Sequence, residues 1–218
     1  MPLELQPATE ADAGRSVDIE RAAYALNPLT RILFPGPFPA TAADDRAKLL
    51  TTELKSDPTT RWFKVVDPEL PEAEQMVAFA KFHVFTERKH PAPRSFGPGC
   101  NVEACELLFS SIAKLRERTQ EHEDGSYIYF HLLHADPKHQ GRGAGGMLVK
   151  RCIEEARKLG VTAYLEATEA GHAVYKKYGF RDVECLSLDL SKWGLAELAN
   201  YWSMVYDPRE AVEGEADV

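Results

Sequence analysis

The chain has 218 residues, of which 44% are hydrophobic and 28% charged, and its formal net charge is −8 at pH 7. This length and composition predict a soluble globular domain with a substantial core. The acidic excess argues against a nucleic-acid partner, which requires clustered Lys and Arg, and no apolar run approaches the ~20 residues of a membrane-spanning helix.

The N-terminus lacks a basic segment followed by an apolar run, so no secretory signal is predicted. Neither a CxxC pair nor a histidine spacing typical of zinc sites accompanies the four cysteines, which are Cys100, Cys105, Cys152 and Cys185. We therefore expect a cytoplasmic protein with reduced thiols, no metal site and no membrane partner.

The first half of the chain predicts a strand, two helices and two further strands, in that order. These elements span residues 3–7, 11–25, 41–56, 61–67 and 76–85. The proline-rich segment 27–40 contributes one short helical turn near residues 30–33. Residues 88–125, which include a polar helix at 102–121, are interpreted as an insertion. This insertion either shapes a substrate entrance or packs as a peripheral helix.

The second half alternates strands and helices, which indicates an α/β unit with at least one parallel strand pair. The predicted strands are 127–135, 161–167, 180–190 and 201–207, and the helices are 143–159 and 169–178. The first of these helices has an apolar side, which we expect to bury Cys152. We predict a single domain over residues 1–208 and a disordered acidic tail at 209–218.

Residues 141–146, GRGAGG, carry four glycines between a strand and a helix. Main-chain N–H groups at a helix N-terminus bind anionic phosphate, and glycine lets the backbone approach it closely. The spacing also fits the dinucleotide fingerprint GxGxxG, with Glu166 near the position of a ribose-binding acid. That alternative, an NAD-dependent oxidoreductase, is less favoured because residues 136–140 separate the strand from the first glycine.

The run L-x-A-x-P-x-x-Q-G-x-G-x-G at residues 133–145 resembles the signature of the GCN5-related N-acetyltransferases. Residues 165–180, LEATEAGHAVYKKYGF, are similar to the strand, helix and Y-x-x-x-G-F ending of that family. The resemblance implies an α/β (α+β) fold: a mixed central sheet of six to seven strands, flanked by helices, with splayed parallel strands at its centre. One departure is that 168–172, TEAGH, lacks the asparagine that many members place before the second helix.

The resemblance also implies acetyl-CoA as the cofactor. The loop N–H groups would bind its pyrophosphate, and the backbone of the preceding strand would pair with its pantetheine arm. The implied cofactor-binding residues are Leu133, His134, Ala135, Gln140, Gly141, Arg142, Gly143, Ala144 and Gly145.

Three side chains are candidates for catalysis. By resemblance Tyr175 is the proton donor to the CoA thiolate; the alternative is a packed aromatic residue. His131 is the first candidate for the base, alone or in a water relay, because imidazole titrates in the useful pH range. Glu166 is the second candidate, or a substrate anchor.

Alternation along the strand predicts that one face carries Tyr129, His131, Leu133 and Ala135. A β-bulge near the point where the strands splay would reverse this alternation and bring His134 forward instead.

The implied function is an acetyl-CoA-dependent N-acetyltransferase. It would move the acetyl group to a primary amine of a small molecule or peptide, by direct transfer through a ternary complex. The alternative from another class is a non-catalytic acetyl-CoA-binding domain of the same fold. The acceptor stays open, as does the choice between monomer and homodimer.

Overall fold

The computed structural model describes residues 2–25, 27–121, 123 and 125–210 of the chain. In chain order the strands and helices of these residues are β1 (Glu4–Pro7), α1 (Ala13–Tyr24), α2 (Pro28–Leu33), α3 (Ala42–Ser56), β2 (Thr60–Val66), β3 (Met76–Phe85), α4 (Val102–Thr119), β4 (Tyr127–Ala135), α5 (Ala144–Leu159), β5 (Ala163–Thr168), α6 (Glu169–Lys177), β6 (Arg181–Leu188) and β7 (Ala199–Tyr206). Each predicted element is present, with both ends within two residues of the prediction. Residues 211–218 of the predicted acidic tail lie outside the described residues.

The seven strands form one mixed sheet in the order β1-β2-β3-β4-β5-β7-β6. The central pair β4–β5 is parallel, and the other pairs are antiparallel. Only Ile128–Ala163 and Tyr129–Tyr164 are in register across the parallel pair. Beyond residue 129 the two strands diverge, which confirms the mixed sheet with splayed central strands.

Local sequence explains where several helices begin and end. Asn27 and Asn101 accept main-chain hydrogen bonds at the N-termini of α2 and α4, as expected of N-cap residues. Gly143 and Gly160 have left-handed backbone conformations on either side of α5, which glycine adopts without steric cost. None of the helices in the described part of the chain is long and apolar enough to span a bilayer.

The core occupies both faces of the sheet. Helix α5 covers one face with its buried side, which includes Leu148, Val149 and, as predicted, Cys152. Helices α1 and α3 cover part of the opposite face, and α2 and α4 form a further cluster around Leu33 and Leu108. The insertion helix α4 therefore packs within the domain.

A β-bulge in β4 overturns the predicted alternation of its side chains. Lys81 pairs with Leu132 and Phe82 pairs with Phe130, so His131 is the extra residue. Ahead of the bulge Tyr129 shares with His131 the face that carries His83. After the bulge Leu133 and Ala135 pack on the opposite face, in the core formed with α5. The prediction that Tyr129, His131, Leu133 and Ala135 share one face is wrong.

Candidate active site

The glycine loop leads from β4 into the N-terminus of α5. Asp136 accepts a hydrogen bond from the Lys138 N–H and pairs with Arg15, which fixes the start of the loop. Gly141 and Gly143 have φ values of 76° and 87°. Within the described residues, no protein acceptor takes a hydrogen bond from the main-chain N–H groups of residues 141–146. These groups can bind an anion together, aided by the positive end of the helix dipole.

Two basic side chains near the loop have different environments. Arg142 donates to the buried carboxylate of Asp67 at 2.7 Å, and the guanidinium lowers the pKa of that carboxyl. This contact ties the loop to the end of β2, so Arg142 contributes mainly its main-chain N–H to the loop. Lys138 is exposed and has no ion-pair partner in the described part of the chain, so its ammonium is available to a phosphate.

The glycines of the loop have two separate purposes. A Cβ on Gly141 or Gly143 would meet no atom within 4 Å, so positive φ explains glycine at these positions. A Cβ on Gly146 would collide with the phenol of Tyr178. Gly146 therefore permits the close packing of α5 against Tyr178, whereas Gly141 and Gly143 shape the exposed surface of the loop.

The cleft between β4 and β5 opens next to this loop. Residues 130–135 of β4 are not paired with any residue of β5. A Cβ atom added to Gly145 would lie 3.7 Å from the Leu133 side chain, so this stretch of β4 adjoins the start of α5. The main-chain N–H and C=O groups on this edge of β4 can therefore form hydrogen bonds with an extended ligand. The anionic end of the same ligand would lie in the glycine loop.

Tyr175 of α6 stands beside the same strand. Its ring packs edge-on against Phe130 and Phe180, with centroids 6.0 and 5.8 Å apart. Burial, and next the neighbouring Tyr24, raise the pKa of Tyr175 above its ordinary value. The phenol therefore stays protonated at neutral pH, as a proton donor requires.

His131 lies at the bulge on the other face. Its Nδ1 is buried and has no hydrogen-bond partner among the described residues. Burial lowers the pKa of His131 well below its ordinary value, and the nearby charges of Lys81, His83, Arg116 and Arg94 lower it further. The imidazole is therefore neutral at physiological pH and has a free lone pair.

The bulge turns the side chain of His134 to the face that carries His131, as the alternative predicted. This side chain is buried against α1, where Nε2 lies 3.1 Å from the Ser16 Oγ and the ring stacks on Phe79. Burial lowers the pKa of His134 to about 4. Burial and the contact with Ser16 make His134 a less suitable base than His131, while its main chain still borders the cleft.

Glu166 of β5 is held by α4. Arg116 donates to both carboxylate oxygens of Glu166 at 3.0 and 2.8 Å, and the Tyr129 hydroxyl donates to one of them at 2.7 Å. The guanidinium also lies 3.9 Å from the centroid of the Tyr129 ring. Arg116 could not be predicted as this partner, because no sequence pattern relates it to a residue fifty positions later.

Comparison with known proteins decides the family. A model described as the acetyltransferase (GNAT) family matches residues 28–180, which include the loop, the cleft, His131 and Tyr175. The chain belongs to this family. Members use acetyl-CoA, and acetyl-CoA is the cofactor of this GNAT protein.

Solved structures of other acetyltransferases share the fold. A mosquito arylalkylamine N-acetyltransferase-like protein is 12% identical with a TM-score of 0.65, over 94% of this chain and 99% of that one. The Drosophila melanogaster polyamine N-acetyltransferase is 17% identical with a TM-score of 0.61, over 94% and 99%. Arabidopsis thaliana NAA60 in complex with acetyl-CoA is 15% identical with a TM-score of 0.53, over 95% and 99%. No curated protein matches the chain.

The geometry of this GNAT domain fits acetyl-CoA and excludes the dinucleotide interpretation. Unsatisfied N–H groups in the loop suit its pyrophosphate, and the unpaired edge of β4 suits its pantetheine arm. A dinucleotide-binding fold needs a mostly parallel sheet wound on both faces. Here the central pair alone is parallel among the described strands, and Glu166 is bound by Arg116.

Proposed function

We propose that the protein transfers the acetyl group of acetyl-CoA to a primary amine of a small molecule or peptide, by direct transfer in a ternary complex. The observation that carries the proposal is the combination of free loop N–H groups with the unpaired residues 130–135 of β4, a stretch that contains His131 and whose Phe130 packs against Tyr175. Acetyl-CoA supplies an activated acetyl group on a thioester.

The proposed cofactor site has two parts. The main-chain N–H groups of residues 140–145 hold the pyrophosphate, and Lys138 adds positive charge. The main chain of residues 133–135 aligns the pantetheine arm along β4, where an N–H group can also polarise the thioester carbonyl. Holding the acyl group beside the acceptor removes much of the entropic cost of the reaction.

We assign the base to His131. Its neutral imidazole can accept the proton that the amine loses as the new C–N bond forms. Tyr129 lies beside it, with ring centroids 5.4 Å apart, and forms part of the same wall. Because both oxygens of Glu166 are bound, we assign Glu166 the role of an anchor that holds Arg116 and Tyr129 at this side of the cleft.

We assign the acid to Tyr175. The high pKa of its phenol keeps the proton available until sulfur departs with the electron pair of the broken C–S bond. The sulfur then takes this proton, and solvent restores the phenol. The proposal thus assigns the two proton transfers to residues on opposite faces of β4.

Calorimetry with acetyl-CoA and NAD tests the cofactor site, with wild type compared to Gly143→Trp. Gly160→Trp is the matched control, because Gly160 also has a positive φ and open surroundings but lies at the far end of α5. We expect acetyl-CoA to bind wild type and Gly160→Trp but not Gly143→Trp, and NAD to bind none of them. Release of CoA thiol with a panel of primary amines then tests turnover. Acetyl-CoA binding without turnover of any amine would favour the non-catalytic alternative.

A further inference from the structure

Four polar side chains meet beneath β3 and β4, on the face covered by α3. Lys81 Nζ lies 2.6 Å from Glu53 Oε2, and His83 Nε2 lies 3.4 Å from Glu53 Oε1. A ring nitrogen of His131 lies within 4.8 Å of the Glu53 and His83 atoms that face it. Polar groups are costly to bury, and this cluster places a lysine and two histidines in or at the edge of the core.

The cluster leads from the site to the surface. His83 Nδ1 lies 3.3 Å from Asp57 Oδ2, so each ring nitrogen of His83 faces a carboxylate. The side chain of His83 is 6% exposed, whereas those of Glu53 and Asp57 are 29% and 33% exposed. The residue His131 is partly exposed although its Nδ1 is buried, His83 is buried, and the two carboxylates beyond it are partly exposed, so the cluster connects the site to the surface through a buried imidazole.

The surroundings of His131 prevent it from retaining a proton. The charged and titratable groups that face it are Lys81 and His83 of β3, Glu53 of α3, Tyr129 of β4, Arg116 of α4 and Arg94 of the preceding loop. Burial is the largest cause that disfavours the protonated imidazole, and the cations Lys81, Arg116 and Arg94 add to it. A gap of 4.8 Å or less is spanned by one water molecule that makes two hydrogen bonds of about 2.8 Å.

We propose that His83, together with Glu53 and Asp57, forms a route that carries the proton of the acceptor amine from His131 to solvent. This inference rests on the proposed function. The amine nitrogen forms a bond to the acetyl carbon and loses a proton to His131. That proton moves to His83, where the two carboxylates offset its charge, and leaves to water at Asp57. The C–S bond breaks, and the sulfur keeps the electron pair and takes the proton of Tyr175.

Two imidazoles and a carboxylate also resemble a zinc-binding donor set. The position of Lys81 argues against a metal ion, because its ammonium contacts the carboxylate that the ion would need. A divalent cation on Glu53 would lie within a few ångströms of this ammonium and be repelled by it. Burial raises the pKa of Glu53, but the hydrogen bonds with His83 and Lys81 outweigh it and lower this pKa to about 2, so the carboxylate stays ionised beside His83.

The test measures kcat as a function of pH for wild type, His83→Gln and Asp57→Asn. His90→Gln is the matched control, because its imidazole also lies 3.4 Å from a carboxylate, that of Glu117, but is exposed. We expect kcat to fall about 10- to 100-fold in His83→Gln, and less in Asp57→Asn. In both variants the pH profile of kcat should be displaced to higher pH. Added imidazole should restore kcat in both, and His90→Gln should match wild type. Asp57→Asn keeps the test valid if His83→Gln folds poorly.

Four results would overturn the route. Unchanged kcat and pH profiles in both variants would show that the proton leaves elsewhere. A loss of kcat that imidazole does not restore, with an unchanged pH profile, would indicate a structural role. Equimolar binding of zinc to wild type that His83→Gln abolishes would make the cluster a metal site. Absence of CoA release by wild type with every amine would refute the proposed function, and the route with it.

Discussion

Replacing Arg116 by methionine removes the ion pair that fastens α4 to the centre of the sheet. The side chains of Arg116 and Glu166 are 16% and 7% exposed, and the guanidinium covers the ring of Tyr129. Methionine keeps most of the aliphatic length but leaves Glu166 buried beside no counter-charge. The free energy of unfolding should therefore decrease by far more than for a surface pair.

The expected magnitude follows from the contacts that are lost. Removing one partner of a buried ion pair costs about 3–5 kcal/mol, and the partial exposure of Arg116 favours the lower end of that range. The contact with Tyr129 adds about 1 kcal/mol. A total of about 4 kcal/mol corresponds to a decrease in Tm of about 8–16 °C for a domain of this size.

Urea and thermal denaturation of purified protein measure this effect. Arg118→Met is the matched control on the same helix, because the pair of Arg118 with Glu184 is 52% and 41% exposed and should contribute less than about 1 kcal/mol. The double variant Arg116→Met/Glu166→Gln should recover part of the loss, since no charge is left buried. If Arg116→Met unfolds at the same urea concentration as Arg118→Met, the buried pair does not fasten α4.

Three further predictions concern other parts of the molecule. Gly146→Ala should destabilise the fold by about 1–3 kcal/mol because its methyl group meets the phenol of Tyr178, whereas Gly14→Ala, which meets no atom, should be neutral or stabilising; equal urea midpoints would contradict this. His134 has a pKa of about 4 in the folded protein and about 6.5 in the unfolded chain, so its contribution to stability is present above pH 6.5 and lost as pH falls. The free energy of unfolding should decrease by about 2 kcal/mol between pH 7 and pH 5, because the unfolded chain takes up a proton in this range and the folded protein does not. Urea midpoints measured across this range should fall in wild type and change less in His134→Gln, and parallel curves would refute the assignment. Tyr175→Phe should lower kcat about 100-fold without weakening the binding of acetyl-CoA; an unchanged kcat would leave Tyr175 as a packed aromatic residue.

The sequence was sufficient for the element order and for the backbone of the glycine loop. Both depend on local rules: the period of apolar residues sets the type of element, and glycine at 141, 143 and 160 fixes the backbone where φ is positive. The motif at residues 133–145 combines a strand end, a turn and a helix start, so its conformation can be predicted without knowing the remainder of the fold.

Tertiary structure decided which side chains reach the site. One extra residue at His131 reversed the alternation of β4, so Leu133 lies on the α5 face and His134 against α1. A bulge depends on the register with the partner strand β3, which a single strand does not encode.

The same limit applies to contacts between distant residues. Arg116 meets Glu166, and Glu53 meets His83, only because α4 and α3 pack on neighbouring parts of one sheet face. The sequence by itself therefore determined the fold class and the conformation of the glycine loop, whose interactions are local. The surroundings of His131 and Glu166 were decided by packing, because burial and charge there come from elements far apart in the chain.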